Sequence, residues 1–251
     1  MDNEALVQET LKIIDYFQKN NVIIRIMGAI AFRIHCNGSL ELFKALERNL
    51  TDIDLVSYSK YTREVVKLME NLNYLADKHM RMMMQLLDRY TFKNEATGYH
   101  VDVFFDKLPM SHTIDFKNRL EIDYPTIPLA ELLLEKMQIV QLTEKDIKDT
   151  IILLLTHDIG DNDKETINGK YVAKVLANDW GFYYTVTTNL NKVKEYAPNF
   201  KILNNEQLEK INTQTNSMLN IIENEPKSMG WKIRSKIGMK KKWYNEVESL
   251  S

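Results

Sequence analysis

Several features are scarce or missing in this chain, and each absence excludes something. A single cysteine, Cys36, rules out an internal disulfide and cannot build a zinc site unaided. The longest apolar run, Ile151 to Leu155, falls far short of the ~20 residues of a membrane span. Neither sign of charge dominates: 33 basic and 35 acidic residues leave a net −2, so nothing global points to a nucleic-acid or membrane-surface protein. Met1-Asp2-Asn3-Glu4 is acidic and opens no apolar leader segment, and no repeat or low-complexity stretch follows. These absences set the expectation of a soluble, cytoplasmic protein. The 251 residues are 44% apolar and 27% charged, which supplies a core, excludes wholesale disorder and suits one large domain or two smaller ones.

Periodicity divides the chain near Pro125–Pro128. Before that point helices alternate with short strand-like runs. Leu6, Leu11, Ile14 and Phe17 mark an amphipathic helix over Asn3–Gln18, and Val22–Met27 is a β-branched run cut by Gly28. Ala29–Cys36 reads as a helix, Leu40–Arg48 as a short helix or loop, and Asp52–Ser57 as an alternating strand. Lys60–Leu72 follows as a second amphipathic helix. Met82–Lys93 and Tyr99–Phe105 read as strands joined by the turn Asn94–Gly98, and Leu120–Tyr124 as an edge strand. Beyond Pro128 the pattern is helical over Leu129–Gln141, Glu144–His157, Gly169–Asn178, Phe182–Tyr196, Glu206–Glu223 and Lys227–Lys236. The expected architecture is α+β: a mixed β-sheet with flanking helices over 1–125, then a helical bundle over 126–251.

Asp52-Ile53-Asp54 is the most informative segment. Side chains at i and i+2 of a strand share a sheet face, ~6–7 Å apart, where two carboxylates repel. A hard divalent cation between them removes the repulsion. Asp102 lies in a second apolar run, Val101-Asp102-Val103-Phe104-Phe105; if the two strands are neighbours, its carboxylate joins the pair at ~5 Å. Three such carboxylates suit two metal ions ~3.5–4 Å apart, as used for in-line phosphoryl displacement. Upstream, Gly28-Ala29 ends a strand and opens a helix, a place where backbone N–H groups and the helix dipole favour phosphate. An Asp-x-Asp standing alone is more often a strand-end or turn feature. Apolar neighbours on both acidic strands favour the metal site, because a buried carboxylate demands a partner.

These residues resemble the signature of the nucleotidyltransferase superfamily that includes DNA polymerase β: a glycine turn opening a helix, a strand with Asp-x-Asp, and a third Asp on a later strand. The pattern is more closely similar to AbiEii-type toxin nucleotidyltransferases and small antibiotic nucleotidyltransferases. The likeness lies in Gly28–Ile34, Arg48–Leu55, Glu131–Gln138 and Lys145–Asp149. It implies a nucleotidyltransferase fold in which Asp52, Asp54 and Asp102 bind magnesium, or manganese in its place. It further implies that Asp102 helps activate the attacking hydroxyl and that Lys136 holds nucleotide phosphate. Asp146 or Asp149 is the acidic residue of the later helix motif. The family has Gly-Gly or Gly-Ser where this chain has Gly28-Ala29, so the phosphate turn lacks a hydroxyl.

Taken without the resemblance, Lys136 is a solvated lysine on an amphipathic helix. Arg48 steers a nucleotide, pairs with Asp52 or simply sits on the surface. Asp146 and Asp149 share a helix face and balance Lys145 and Lys148. His35, His100, His112 and His157 have no metal-ligand spacing, and Met80 to Met84 suit packing. Lys227–Tyr244 carries seven basic and no acidic residues, interleaved with Trp231, Trp243 and Tyr244. It suits either a nucleic-acid backbone or docking on the acidic remainder of the chain, and the second is favoured because the chain as a whole is not basic. The functional expectation is transfer of a nucleoside monophosphate from an NTP to a hydroxyl of RNA, protein or a small molecule, with release of pyrophosphate. The alternative is a catalytically weak nucleotide- or partner-binding module of the same fold. A metal-dependent glycosyltransferase is disfavoured because only one strand precedes Asp52.

Overall fold

In the computed structural model, residues 2–76 and 89–246 are described. The methionine cluster at 80–84 and the expected strand segment at 82–88 lie outside them. The chain divides into two compact units, and these are not the contiguous halves 1–125 and 126–251. One comprises Met1–His35, Asn49–Pro109 and Ile114–Pro128; the other comprises Cys36–Arg48, Met110–Thr113 and Leu129–Ser251.

The first unit is built on a five-stranded mixed sheet. Helix α1 (Asn3–Lys19) is capped by Asp2, whose carboxylate accepts from the Glu4 N–H at 3.0 Å, and it buries Leu6, Ile13, Ile14 and Phe17. Strand β1 (Ile24–Met27) is buried throughout and runs straight into α2 (Gly28–His35). Strand β2 (Ile53–Ser57), α4 (Thr62–Asn71), β3 (Leu75–Ala76), β4 (Arg89–Lys93) and β5 (His100–Phe105) follow in the same unit. The strand order is β1-β2-β5-β4-β3, with β2 and β5 parallel and the other pairs antiparallel. Helices α1 and α2 pack on β1, and α2 also packs on β2.

Leu120–Tyr124 forms turns rather than an edge strand. Asn118 is left-handed (φ 58°), and Pro125 lacks the N–H a ladder needs. The edge of β1 is covered one step later. Ile26 N donates to Pro125 O (3.0 Å), and Ile127 N donates to Ile26 O (2.9 Å).

The second unit is helical. It holds α3 (Leu40–Ala45), α5 (Leu129–Met137), α6 (Glu144–Thr156), α7 (Gly169–Leu176), α8 (Trp180–Tyr196), α9 (Asn205–Asn224) and α10 (Met229–Ile237). Side-chain caps fix most of the starts. Thr143 and Asp146 form a reciprocal capping box on α6, as Asn204 and Gln207 do on α9. Asn168, Asp179 and Ser228 cap α7, α8 and α10. Asp179 explains why α8 begins at Trp180 rather than at Phe182. Ile159 and Ile167 pair in a two-residue parallel rung that the sequence pattern did not suggest. No described helix is long and apolar enough to cross a membrane. A mixed sheet with flanking helices and a helix-rich second half make the chain α+β, as its periodicity predicts.

Candidate active site

In the parallel ladder of β2 and β5, Asp54 stands directly opposite Asp102. Residues opposite one another in a ladder share a sheet face, with backbones about 5 Å apart. The flanking Ile53, Leu55, Val101 and Val103 are fully buried on the other face. Hydrophobic alternation therefore fixes the register that turns both carboxylates outward. Both acids are half-buried. On the far side of β5, Thr91 stands opposite Asp102 and donates its hydroxyl to Oδ1 at 2.5 Å. Arg89 places Nη1 3.4 Å from Asp102 Oδ2 and rests over the Phe104 ring at 5.8 Å.

On the near side, Met27 is the ladder partner of Asp54, and Gly28 follows it. Gly28 adopts φ +66°, and a Cβ built on it would overlap the Asp54 carboxylate, meeting Oδ2 first and Cβ and Cγ at 3.2 Å. A side chain at position 28 is thus excluded twice, by backbone conformation and by the carboxylate packed against it. Asp54 meets the first residue of α2, where the positive end of the helix dipole favours an anion. Ala29 is half-buried in the first turn of the same helix.

Asp52 does not belong to the strand. The ladder begins with Ile53 opposite Val101, so Asp52 precedes the first rung, is exposed, and accepts the Thr51 hydroxyl at 2.7 Å. Before the first rung the ladder no longer fixes which sheet face a side chain takes. Among the described residues, no group of three or more His, Cys, Asp or Glu is close enough to hold a metal ion. The sheet brings together a pair of carboxylates, not a trio. A cavity of about 460 Å³ in this unit opens beside Tyr58 and Asp106, past the end of β2, and the pair does not line it.

Arg48 and Lys136 occur together in the second unit, in a buried ion network. Arg48 grips Asp149 with both arms of its guanidinium, Nε to Oδ1 at 2.7 Å and Nη2 to Oδ2 at 3.0 Å. Lys136 Nζ lies 3.2 Å from Asp149 Oδ2 and 3.4 Å from Asp146 Oδ1. Burial alone disfavours the Lys136 ammonium. The carboxylates of Asp149, Glu135 and Asp146 outweigh it, so its pKa is held above the usual lysine range. The expected surface positions, and the pairing of Arg48 with Asp52, are corrected here. Asp149 is fully buried and needs counter-charge, and these two cations supply it. Lys148 pairs instead with Glu144 at 2.7 Å.

No family model matches the chain, and no curated protein does either. Among solved structures it is similar to the solution structure of antibiotic-resistance factor ANT(2'')-Ia. The TM-score is 0.44 at 12% identity, covering 70% of this chain and 96% of that one.

The two carboxylates are a donor set that would suit a hard cation. Magnesium is commonly held by one or two carboxylates, the other positions being taken by water and phosphate oxygens. Asp54 and Asp102 offer that number on one face. Arg89 and Thr91 were missed by the sequence reading, yet a signal for them existed. Counting outward from the turn Asn94–Gly98 sets Lys93 opposite His100 and hence Thr91 opposite Asp102. His112, in the second unit, stacks on Phe182 at 4.9 Å with Nε2 2.8 Å from Thr185 Oγ1. Burial lowers its pKa to about 4 against a weaker opposing pull from Asp179, so it is neutral near pH 7.

Proposed function

We propose that the chain is a magnesium-dependent nucleotidyltransferase that moves a nucleoside monophosphate from an NTP to an acceptor hydroxyl. The observation that carries this reading is the in-register pair Asp54 and Asp102 on adjacent parallel strands, with the Gly28 turn of α2 closed against one of them. In this scheme Asp54 and Asp102 hold magnesium, which supplies charge neutralisation on the phosphates. Asp52, exposed before the first rung of β2, stands outside this pair. Backbone N–H groups at Gly28 and Ala29 meet phosphate at the start of α2. Asp102 orients the acceptor hydroxyl and receives its proton, with Thr91 fixing the carboxylate rotamer. Arg89 balances the Asp102 charge while no cation is bound. Catalysis is then mainly positioning and charge stabilisation. Neither Arg48 nor Lys136 has a part in phosphate binding here, because both serve the buried network around Asp149.

Ala29 favours a second reading. A phosphate turn without a hydroxyl suits a module that binds nucleotide but turns it over poorly.

The test is a mass-spectrometric search for nucleotide adducts after incubation with each NTP and with RNA, protein and small-molecule acceptors, followed by Asp54→Asn and Asp102→Asn. Each substitution is expected to lower transfer at least 100-fold, of the order seen when a charge-stabilising group is removed, while the fold is kept. Transfer that survives both substitutions excludes the proposed site. Calorimetric binding of Mg-NTP without any adduct selects the second reading.

A further inference from the structure

Helix α10 and the turn after it have one face docked and one face open. On the docked face, Trp231 meets the edge of Tyr183 at 5.1 Å and Arg234 lies over Trp180 at 4.8 Å. The Arg234 guanidinium also donates to the carbonyls of Gly238 and Lys241, each at 2.7 Å. Further on, Trp243 donates Nε1 to Thr185 Oγ1 at 3.1 Å and meets Tyr184 edge-on at 5.2 Å.

The open face consists of two rows. Met229, Ile233 and Ile237 repeat every fourth residue with relative exposures of 71%, 61% and 41%; Met239, in the turn that follows, is also exposed, although its sulfur accepts the Tyr184 hydroxyl at 2.8 Å. Lys232, Lys236 and Lys240 form the adjoining row, all exposed. No acidic residue falls between Glu225 and Glu246.

We propose that this face is a docking surface for an anionic lipid bilayer, on which α10 lies flat with its apolar row among the acyl chains and its lysines at the level of the phosphates. An amphipathic helix with aliphatic residues on one row and lysines beside it is the usual form of such contacts. Lysine stems reach along an apolar surface while the ammonium stays at the headgroups. Charge complementarity points the same way. Outside 227–244 the chain carries 26 basic and 35 acidic residues, so an anionic surface attracts this segment and repels the rest. Nucleic acid fits less well. The tryptophans that would stack on bases are occupied by Tyr183, Tyr184 and Thr185, and the exposed residues are aliphatic. A protein partner would need an acidic groove shaped to a convex ridge, whereas a fluid surface needs no matching shape. The inference does not depend on the catalytic assignment.

Co-sedimentation of the full chain with vesicles tests it, using phosphatidylcholine alone and phosphatidylcholine mixed with phosphatidylglycerol. Binding is expected only to the mixed vesicles and should weaken with salt. The variant Lys232→Gln/Lys236→Gln/Lys240→Gln should lose roughly 100-fold in partition coefficient, about five-fold per lysine. Met229→Ser/Ile233→Ser/Ile237→Ser should abolish binding at unchanged charge, with unchanged melting because all three side chains are exposed. No binding to the mixed vesicles at low salt overturns the proposal. So does retention of binding by the serine variant, or capture by RNA or an acidic protein with none by vesicles.

Discussion

Replacing Gly28 by alanine tests the contact on which the candidate site is built. Two separable costs follow from the structure. A non-glycine residue at φ +66° carries a backbone penalty of roughly 1–2 kcal/mol. The new Cβ also runs into the Asp54 carboxylate, and forcing an extra carbon into such a contact costs typically about 1–3 kcal/mol. The sum, roughly 3 kcal/mol, corresponds to a urea midpoint lowered by about 1 M for a slope near 3 kcal/mol/M. A double-mutant cycle separates the two costs. In an Asp54→Ala background the carboxylate is gone, and the backbone penalty remains with a 3.2 Å contact to the residue-54 Cβ, so the sites should couple by about 1–2 kcal/mol. Under the proposed function, Gly28→Ala also shifts Asp54 by a large fraction of an ångström and should slow nucleotide transfer about 100-fold. The measurement is urea unfolding of wild type, both single variants and the double. Additivity within about 0.5 kcal/mol would show that Gly28 does not make room for Asp54, and the reasoning fails at its first step.

Two other perturbations probe the second unit. Asp149→Asn leaves Arg48 and Lys136 buried with their shared anion neutralised, and should cost about 3–5 kcal/mol in chemical denaturation; a loss below about 1 kcal/mol would contradict the network. His112 gives a pH signature. Its folded pKa is about 4 against 6.5 unfolded, so the unfolded chain binds the proton more readily. The stability this group contributes is complete above pH 6.5 and is lost as pH falls toward 4, by about 3 kcal/mol. His112→Phe should flatten that window in thermal melts at graded pH, and an unchanged acid limb would count against it.

Much of the sheet is legible in the sequence because its strands are short apolar runs. Alternation around Asp54 and Asp102 marks which residues face inward. Asp52 misleads because the start of a strand is decided by its ladder partner, and Val101 pairs with Ile53 while nothing in the local pattern says so. Arg48 and Asp149 lie 101 residues apart, so no spacing rule joins them. Lys136 reads as solvated because its helix is amphipathic, yet the acid it meets is fully buried. Arg89 and Thr91 flank the site only through the register of a hairpin, which the turn length fixes and composition does not. The C-terminal basic segment docks as its sequence suggests, but through aromatic and guanidinium contacts rather than through lysines meeting acids.

The parallel pairing of β2 with β5 bears on how the molecule comes to exist. Antiparallel neighbours can zip from a tight turn, but parallel ones must await the whole intervening crossover. Asp54 and Asp102 therefore meet only after every residue between them has emerged and been laid down, and their mutual repulsion is incurred at that closing step. A nascent chain halted before residue 100 holds half of the pair and none of its chemistry. Non-local closure of this kind slows assembly, so the pair would come together among the last steps of folding.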